Sequence, residues 1–244
     1  MASYHFSIKS GKKGTAAEHA RYITREGKHK KDDDNNDLVI TQHGNLPDWT
    51  NGNPLSLWNE ADKHERANGS VYREFEIALP NELSTEQQLE IAKNLIKDHV
   101  KNKPYQFALH CPTSSIEGSP QPHLHLMMSD RLDDGLDRAP EQFFKRYNTK
   151  HPARGGCKKD SGGKEPRVLK EQVVTMRKNI AITINEALEK NGHSSRVDHR
   201  SHYEKGLTQE PERHLGQVGI KNLGDDGKEE VKAKRQRNIT NGRE

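Results

Sequence analysis

The run Pro122–Met127, PHLHLM, constrains this chain more than any other. Side chains on an extended strand alternate between faces, so His123 and His125 point the same way, about 7 Å apart. Leu124, Leu126 and Met128 point the other way. Such a strand demands a sheet with one face buried in a core and the other carrying imidazoles. The run YQFALH at 105–110 obeys the same rule, with Ala108 and His110 on one face and Phe107 and Leu109 on the opposite one. If the two strands are antiparallel neighbours, His110 joins His123 and His125 in a three-imidazole site. The chain holds 14 histidines, so the HLH pattern alone decides little, and the matching face of His110 gives it weight.

Three neutral imidazoles suit a borderline divalent ion with positions left open for other oxygens. Neither strand carries Asp or Glu on that face, which argues against an all-oxygen magnesium cage. A further strand is expected over 71–79, VYREFEIAL, closed by Pro80. Tyr72, Glu74, Glu76 and Ala78 share one of its faces and Phe75, Ile77 and Leu79 the other. Glu74 and Glu76 have three readings: metal ligands, partners that orient an imidazole, or a solvated strand face.

The other segments suggest an α+β fold: an antiparallel sheet with the histidines on a central strand and helices packed on the opposite face. A strand is expected over Tyr4–Ile8 and a helix over 15–26, with Ala16, Ala20 and Ile23 on one stripe and Gly27 as its stop. A second helix is expected over 57–68, stopped by Gly69. Ser84 and Gln87 form a capping-box signature ahead of Leu89, Ala92, Leu95, Ile96 and Val100. Val173, Ile180, Ile184 and Leu188 mark a long helix over 168–190. The DDDNND run at 32–37 reads as an exposed loop and 148–167 as a mobile one. Residues 1–222 read as one domain and 223–244 as a polar, disordered tail.

The net charge is only +4, from 40 basic and 36 acidic residues, but its distribution is uneven. Residues 1–31 hold eight Lys/Arg against two acids, and 138–178 hold twelve against four. Two such blocks brought together would form the footprint of a phosphate-backbone ligand. No apolar run approaches the roughly 18 residues of a membrane span, and no secretory leader is expected from MASYHFSIKSGKKG. Cys111 and Cys157 match neither a disulfide framework nor a zinc spacing, which fits a reducing cytoplasm.

A divalent ion beside a basic surface suits phosphoryl transfer, with either water or a side-chain hydroxyl as nucleophile. Tyr22, Tyr72, Tyr105, Tyr147 and Tyr203 are candidates for the latter. Tyr22 stands out only because Arg21 and Arg25 flank it.

Several segments narrow that choice together: ARYITREGKH around Tyr22, ERANG at 65–69, YREFEIALP at 72–80, His110 with PHLHLM, FFKRYN at 143–148 and VDHR at 197–200. Over residues 2–215 the chain resembles plasmid mobilisation relaxases of the MobA/MobL type, members of the wider HUH endonucleases. The resemblance implies a tyrosine transesterase that nicks one strand at an origin of transfer, forms a 5′-phosphotyrosyl link, and religates the strand after transfer. Tyr22 would be the nucleophile. His110, His123 and His125 would hold the metal, Mn2+ or Mg2+, with Zn2+ as the remaining option. Glu74 and Glu76 align with acidic positions of the family. Arg21, Arg25, Lys145 and Arg146 are the expected DNA contacts.

The implied partners are single-stranded or locally melted origin DNA with an adjacent hairpin, accessory mobilisation proteins and a type IV secretion coupling protein. The implied location is the bacterial cytoplasm, with translocation to the recipient. Many members continue into a primase or other domain, so the chain is either a short member or a fragment. The alternatives are a rolling-circle initiator with the same chemistry, a metallonuclease that dispenses with Tyr22, and a non-enzymatic DNA-binding protein.

Overall fold

The computed structural model describes residues 4–32, 34, 36–208, 219, 220 and 222–241, without the side chains of 238–241. Five antiparallel strands form one sheet: β1 (Phe6–Gly11), β2 (Leu38–Gly44), β3 (Tyr72–Ala78), β4 (Tyr105–His110) and β5 (His123–Met128), in the order β1-β3-β5-β4-β2. The helices are α1 (Ala16–Thr24), α2 (Pro54–His64), α3 (Thr85–His99), α4 (Pro140–Phe143), α5 (Pro166–Lys190) and α6 (Gly224–Asn241). The fold is therefore α+β, as the strand patterns imply, and the HLH strand β5 lies at the centre of the sheet.

The period-two pattern sorts the two faces. Phe75, Ile77, Phe107, Leu109, Leu124, Leu126 and Met128 bury against Ile91, Ala92 and Leu95 of α3 and Ile180, Ile184 and Leu188 of α5. Helix α3 begins with the expected capping box, Ser84 with Gln87. The opposite face carries a second, smaller core. There Tyr72, Ala108 and Met127 pack under Ala16, Ala17, Ala20 and Ile23 of α1 and Leu57, Trp58 and Ala61 of α2. Helices thus cover part of the histidine face as well as the opposite one. The alanine stripe lets α1 lie close to the sheet, because a methyl group keeps the backbones close.

Helix α1 gets no side-chain cap from Thr15. Its first N–H groups are satisfied instead by Asp62 of α2, whose Oδ1 accepts from Gly14 at 2.8 Å and Ala16 at 3.0 Å and whose Oδ2 accepts from Ala17 at 3.0 Å. A carboxylate at this point also suits the positive end of the helix dipole. At the other end the chain turns at Arg25, in the left-handed region with φ 57°. The stop thus falls two residues before the expected Gly27, which is itself left-handed with φ 57°.

The structure differs from the sequence reading in three places. First, strand β2 forms over a segment with no assignment from the sequence. It follows the acidic loop directly and pairs with β4, with a register shift between Leu38 and Ile40. Its sequence LVITQHG alternates half-buried with exposed positions, an edge strand with little apolar signal. Asp33 and Asn35 of the expected loop lie outside the described residues. Second, the segment expected as a disordered tail contains helix α6. It is polar on every side, with i,i+3 ion pairs Lys228–Asp225 and Lys232–Glu229 and a contact of Arg235 with Glu117.

Third, the 148–167 segment is tied down rather than free. Arg131, 2% exposed, donates from Nη1 to the carbonyls of Lys145 at 2.9 Å and Cys157 at 2.8 Å, and from Nη2 to that of Phe144. Its Nη2 also reaches Oε2 of buried Glu65 at 2.8 Å, where Lys159 Nζ arrives at 3.1 Å. Glu65 ends α2, and Gly69 has a role other than the expected stop: a Cβ there would come within 2.7 Å of Glu65 Oε1.

Burial would raise the Glu65 carboxyl, but Arg131 and Lys159 outweigh it and hold it below its ordinary 4.5. A group with a depressed folded-state pKa stabilises fully above its unfolded value and loses that contribution as the pH falls. Glu65→Gln leaves buried Arg131 and half-buried Lys159 short of a partner and should destabilise the fold by about 3 kcal/mol near neutral pH. In urea unfolding, the gap between variant and wild type should narrow as the pH drops below about 4.5.

Candidate metal and nucleophile site

The register sets the site. His110 pairs with His123 across β4 and β5, and His125 pairs with Ala108 on one side and Glu76 on the other. His110, His123 and His125 therefore meet on one face, with ring centroids 4.8–5.4 Å apart. Among the described residues they form a cluster that could hold a metal ion, each offering one nitrogen within 4.8 Å of the others.

Each imidazole is anchored through one nitrogen. His125 Nδ1 donates to Glu74 Oε1 at 2.7 Å, His123 Nδ1 to the Gln121 carbonyl at 2.9 Å, and His110 Nε2 to the Ile23 carbonyl at 2.7 Å. A carbonyl or carboxylate can only accept, so in the neutral form of each ring the other nitrogen carries the lone pair. That is the usual support for metal-bound imidazoles, whose second N–H rests on a carboxylate or carbonyl. The residues present therefore fit a divalent ion.

The charges around the cluster are unequal. Burial would raise the Glu74 carboxyl, but the hydrogen bond from His125 and the close approach of His19 hold it well below the usual carboxylate range. Its side chain is fully buried. Burial, with His125 second, pushes His110 down to about 3, so this ring is neutral at physiological pH. His123 is likewise lowered, mainly by burial. Glu76 lies opposite His125 but accepts its hydrogen bond from Lys9 of β1. Of the two acids on β3, Glu74 alone holds an imidazole.

Helix α1 carries Tyr22 over this cluster. The Tyr22 ring lies 6.3 Å from that of His125 and 5.5 Å from that of His29. His19, one turn earlier, was not singled out from the sequence. It stacks on Tyr72 at 4.9 Å and on Tyr22 at 5.8 Å, and its Nε2 comes within 3.0 Å of Glu74 Oε1. The i,i+3 spacing of His19 and Tyr22 on one helix was the available signal. Among the other tyrosines, burial pushes Tyr72 up to about 12, and Tyr203 is 92% exposed.

The four expected DNA contacts divide. Lys145 and Arg146 are exposed and Arg21 is half-buried. Arg25 differs from them, because its guanidinium is committed inside the protein. Nε and Nη2 donate to the two oxygens of Asp37, each at 2.8 Å, and Nη1 to the Tyr22 carbonyl at 2.8 Å. Its Cζ lies over the Tyr22 ring, 4.9 Å from the centroid. Arg25 and Asp37 hold the end of α1 against the start of β2.

A tyrosine carried over three convergent imidazoles on an antiparallel sheet defines a class of site suited to phosphoryl transfer. The chain belongs to the MobA/MobL family, whose sequence model matches residues 13–222. It is 44% identical over 211 residues to a 43 kDa relaxation protein of Salmonella typhimurium, covering 86% of this chain and 57% of that protein. It is 38% identical over 221 residues to Mobilization protein A of Escherichia coli, covering 88% of this chain and 30% of that one. The chain thus spans little more than half of the first relative and under a third of the second. A solved chain from work on the Molecular Basis of Vancomycin Resistance Transfer in Staphylococcus aureus superposes with a TM-score of 0.58 at 26% identity, over 82% of this chain and 100% of that one.

Replacing Glu74 by Gln should keep the fold but weaken Mn2+ binding by about 10- to 100-fold, the range typical for losing an imidazole's carboxylate support. Replacing His123 and His125 together by Ala should abolish stoichiometric binding. Calorimetric titration of Mn2+ into each purified variant reads both outcomes.

Proposed function

We propose that this chain is a DNA relaxase that cuts one strand at a plasmid origin of transfer by tyrosine transesterification and reseals it afterwards. The observation that carries this reading is the position of Tyr22, 6.3 Å from His125 on a helix fixed above the histidine cluster. Membership of the MobA/MobL family and the names of its relatives support it.

The Tyr22 hydroxyl attacks the scissile phosphorus. A P–O bond to tyrosine forms as the P–O bond to the 3′ oxygen breaks. The proton that Tyr22 gives up is balanced by the one the departing 3′ oxygen takes, leaving a free 3′-OH and a 5′-phosphotyrosyl end. One ester replaces another, so the reverse attack by a 3′-OH reseals the strand. His110, His123 and His125 would hold a divalent ion, Mn2+ or Mg2+ before Zn2+, whose chemistry when bound is to neutralise charge on the phosphate oxygens.

The basic blocks at 1–31 and 138–178, with exposed Lys145 and Arg146, would take the phosphates of a single or locally melted strand beside a hairpin. The partners follow from the family: accessory mobilisation proteins and a coupling protein of a type IV secretion system. The reading places the protein in the bacterial cytoplasm and, with its DNA, in the recipient. Among the described residues no helix is long and apolar enough to cross a membrane.

Tyr22→Phe should abolish the covalent protein–DNA band on a denaturing gel with labelled origin single strand while changing DNA affinity less than about twofold. A remaining protein-linked 5′ end in that variant would place the nucleophile elsewhere. Shortened DNA with no protein attached would favour a metallonuclease, and neither product a DNA-binding protein. With about five to eight phosphates neutralised on a single strand, log affinity should fall against log salt with a slope of roughly −3.5 to −5.5. A filter-binding salt series checks that slope.

A further inference from the structure

A neutral imidazole that donates through one nitrogen has a single lone pair left on the other. In His110, Nε2 donates to the Ile23 carbonyl, so that lone pair is on Nδ1. It is already engaged. Arg25 Nη2 lies 3.1 Å from Nδ1, and a guanidinium can only donate. The other two rings differ: among the described residues none hydrogen-bonds Nε2 of His123 or His125.

We infer that Arg25 competes with the metal for His110: a cation held by all three histidines and the Arg25–His110 hydrogen bond exclude one another. The cluster then exists in two arrangements, one closed by the guanidinium and one opened for the ion. This rests on the metal reading above and adds a residue that sets the site's affinity and couples its loading to α1.

The surroundings of Arg25 are built for such a role. Its backbone ends α1 in the left-handed region, φ 57°, which is costly for a residue with a Cβ. From there the side chain turns back over the Tyr22 ring and onto His110. Asp37 holds both Nε and Nη2, so the guanidinium can give up the His110 bond and still keep its counter-ion. Lys31 Nζ also reaches Asp37 Oδ2, at 2.9 Å, so the carboxylate keeps a cation if Arg25 is removed. The register shift between Leu38 and Ile40 comes just after Asp37, at the point where β2 meets His110.

The test is Mn2+ binding, read by calorimetry on the whole chain without DNA, for the wild type, Arg25→Met and Asp37→Asn. If Arg25 competes, Arg25→Met should bind Mn2+ about tenfold more tightly, the worth of one charge-assisted hydrogen bond and the removal of a neighbouring positive charge. Asp37→Asn keeps the competing guanidinium but deletes its counter-ion, and should bind more weakly than the wild type. Equal or weaker binding by a folded Arg25→Met overturns the inference while leaving the metal reading intact. No Mn2+ binding by either the wild type or Arg25→Met overturns both.

Because Arg25→Met removes a buried side chain, nitrogen NMR of the wild type supplies a second measurement. Metal-free His110 should show Nε2 protonated and Nδ1 hydrogen-bonded. Saturating Zn2+, a diamagnetic probe, should shift Nδ1 to a metal-bound value and release the Arg25 Nη2 protons. An Arg25–His110 bond that persists in the Zn2+-loaded protein overturns the inference.

Discussion

Strand β5 is hydrogen-bonded along both edges, to β3 and to β4, and its pairing register fixes everything else of consequence. A one-residue slip on either side would turn its side chains to the wrong face. The slip is resisted by Leu124, Leu126 and Met128, all essentially inaccessible to solvent, which pack against α3 and α5. Burial of a large aliphatic side chain is worth about 1.5–3 kcal/mol, and three such residues oppose any shift. The imidazoles converge because the hydrophobic side of the same strand cannot move. Core and site are two faces of one constraint.

The histidine face is less self-sufficient. Its three rings are oriented by one carboxylate and two backbone carbonyls, and each support comes from a different place: Glu74 on β3, Gln121 in the β4–β5 loop and Ile23 at the end of α1. Distributing the anchors in this way makes the site report on several elements at once. It also explains why a fully buried glutamate is tolerated at position 74, where His125 donates to it and His19 lies close by.

Much of this was legible in the sequence, and the physical reason is periodicity. Alternation over 105–110 and 123–128 located both histidine strands to the residue at their starts, and the capping box located α3. The tyrosine was harder, since helical spacing says only which side chains share a stripe and nothing about what lies opposite. Its choice came from resemblance, and the structure adds its position beside His125. Three features left no local trace. Strand β2 is an edge with little apolar signal. Asp62 caps a helix 46 residues earlier in the chain. Arg25 read as a DNA-contacting cation near the end of a helix, and only the strand that follows, with Asp37 at its head, draws it inside. Long-range polar pairing is invisible to periodicity because it repeats nowhere.

Helix α1 is supported like a beam at both ends. Asp62 grips its first N–H groups, and the Arg25–Asp37 pair clamps its last turn, with Tyr22 between them. A beam fixed at both ends can bow or roll slightly, but its midpoint cannot drift along the sheet. If Tyr22 carries one end of a cut strand, that stiffness is what keeps the severed ends within reach of one another. Resealing then becomes a matter of waiting rather than of searching.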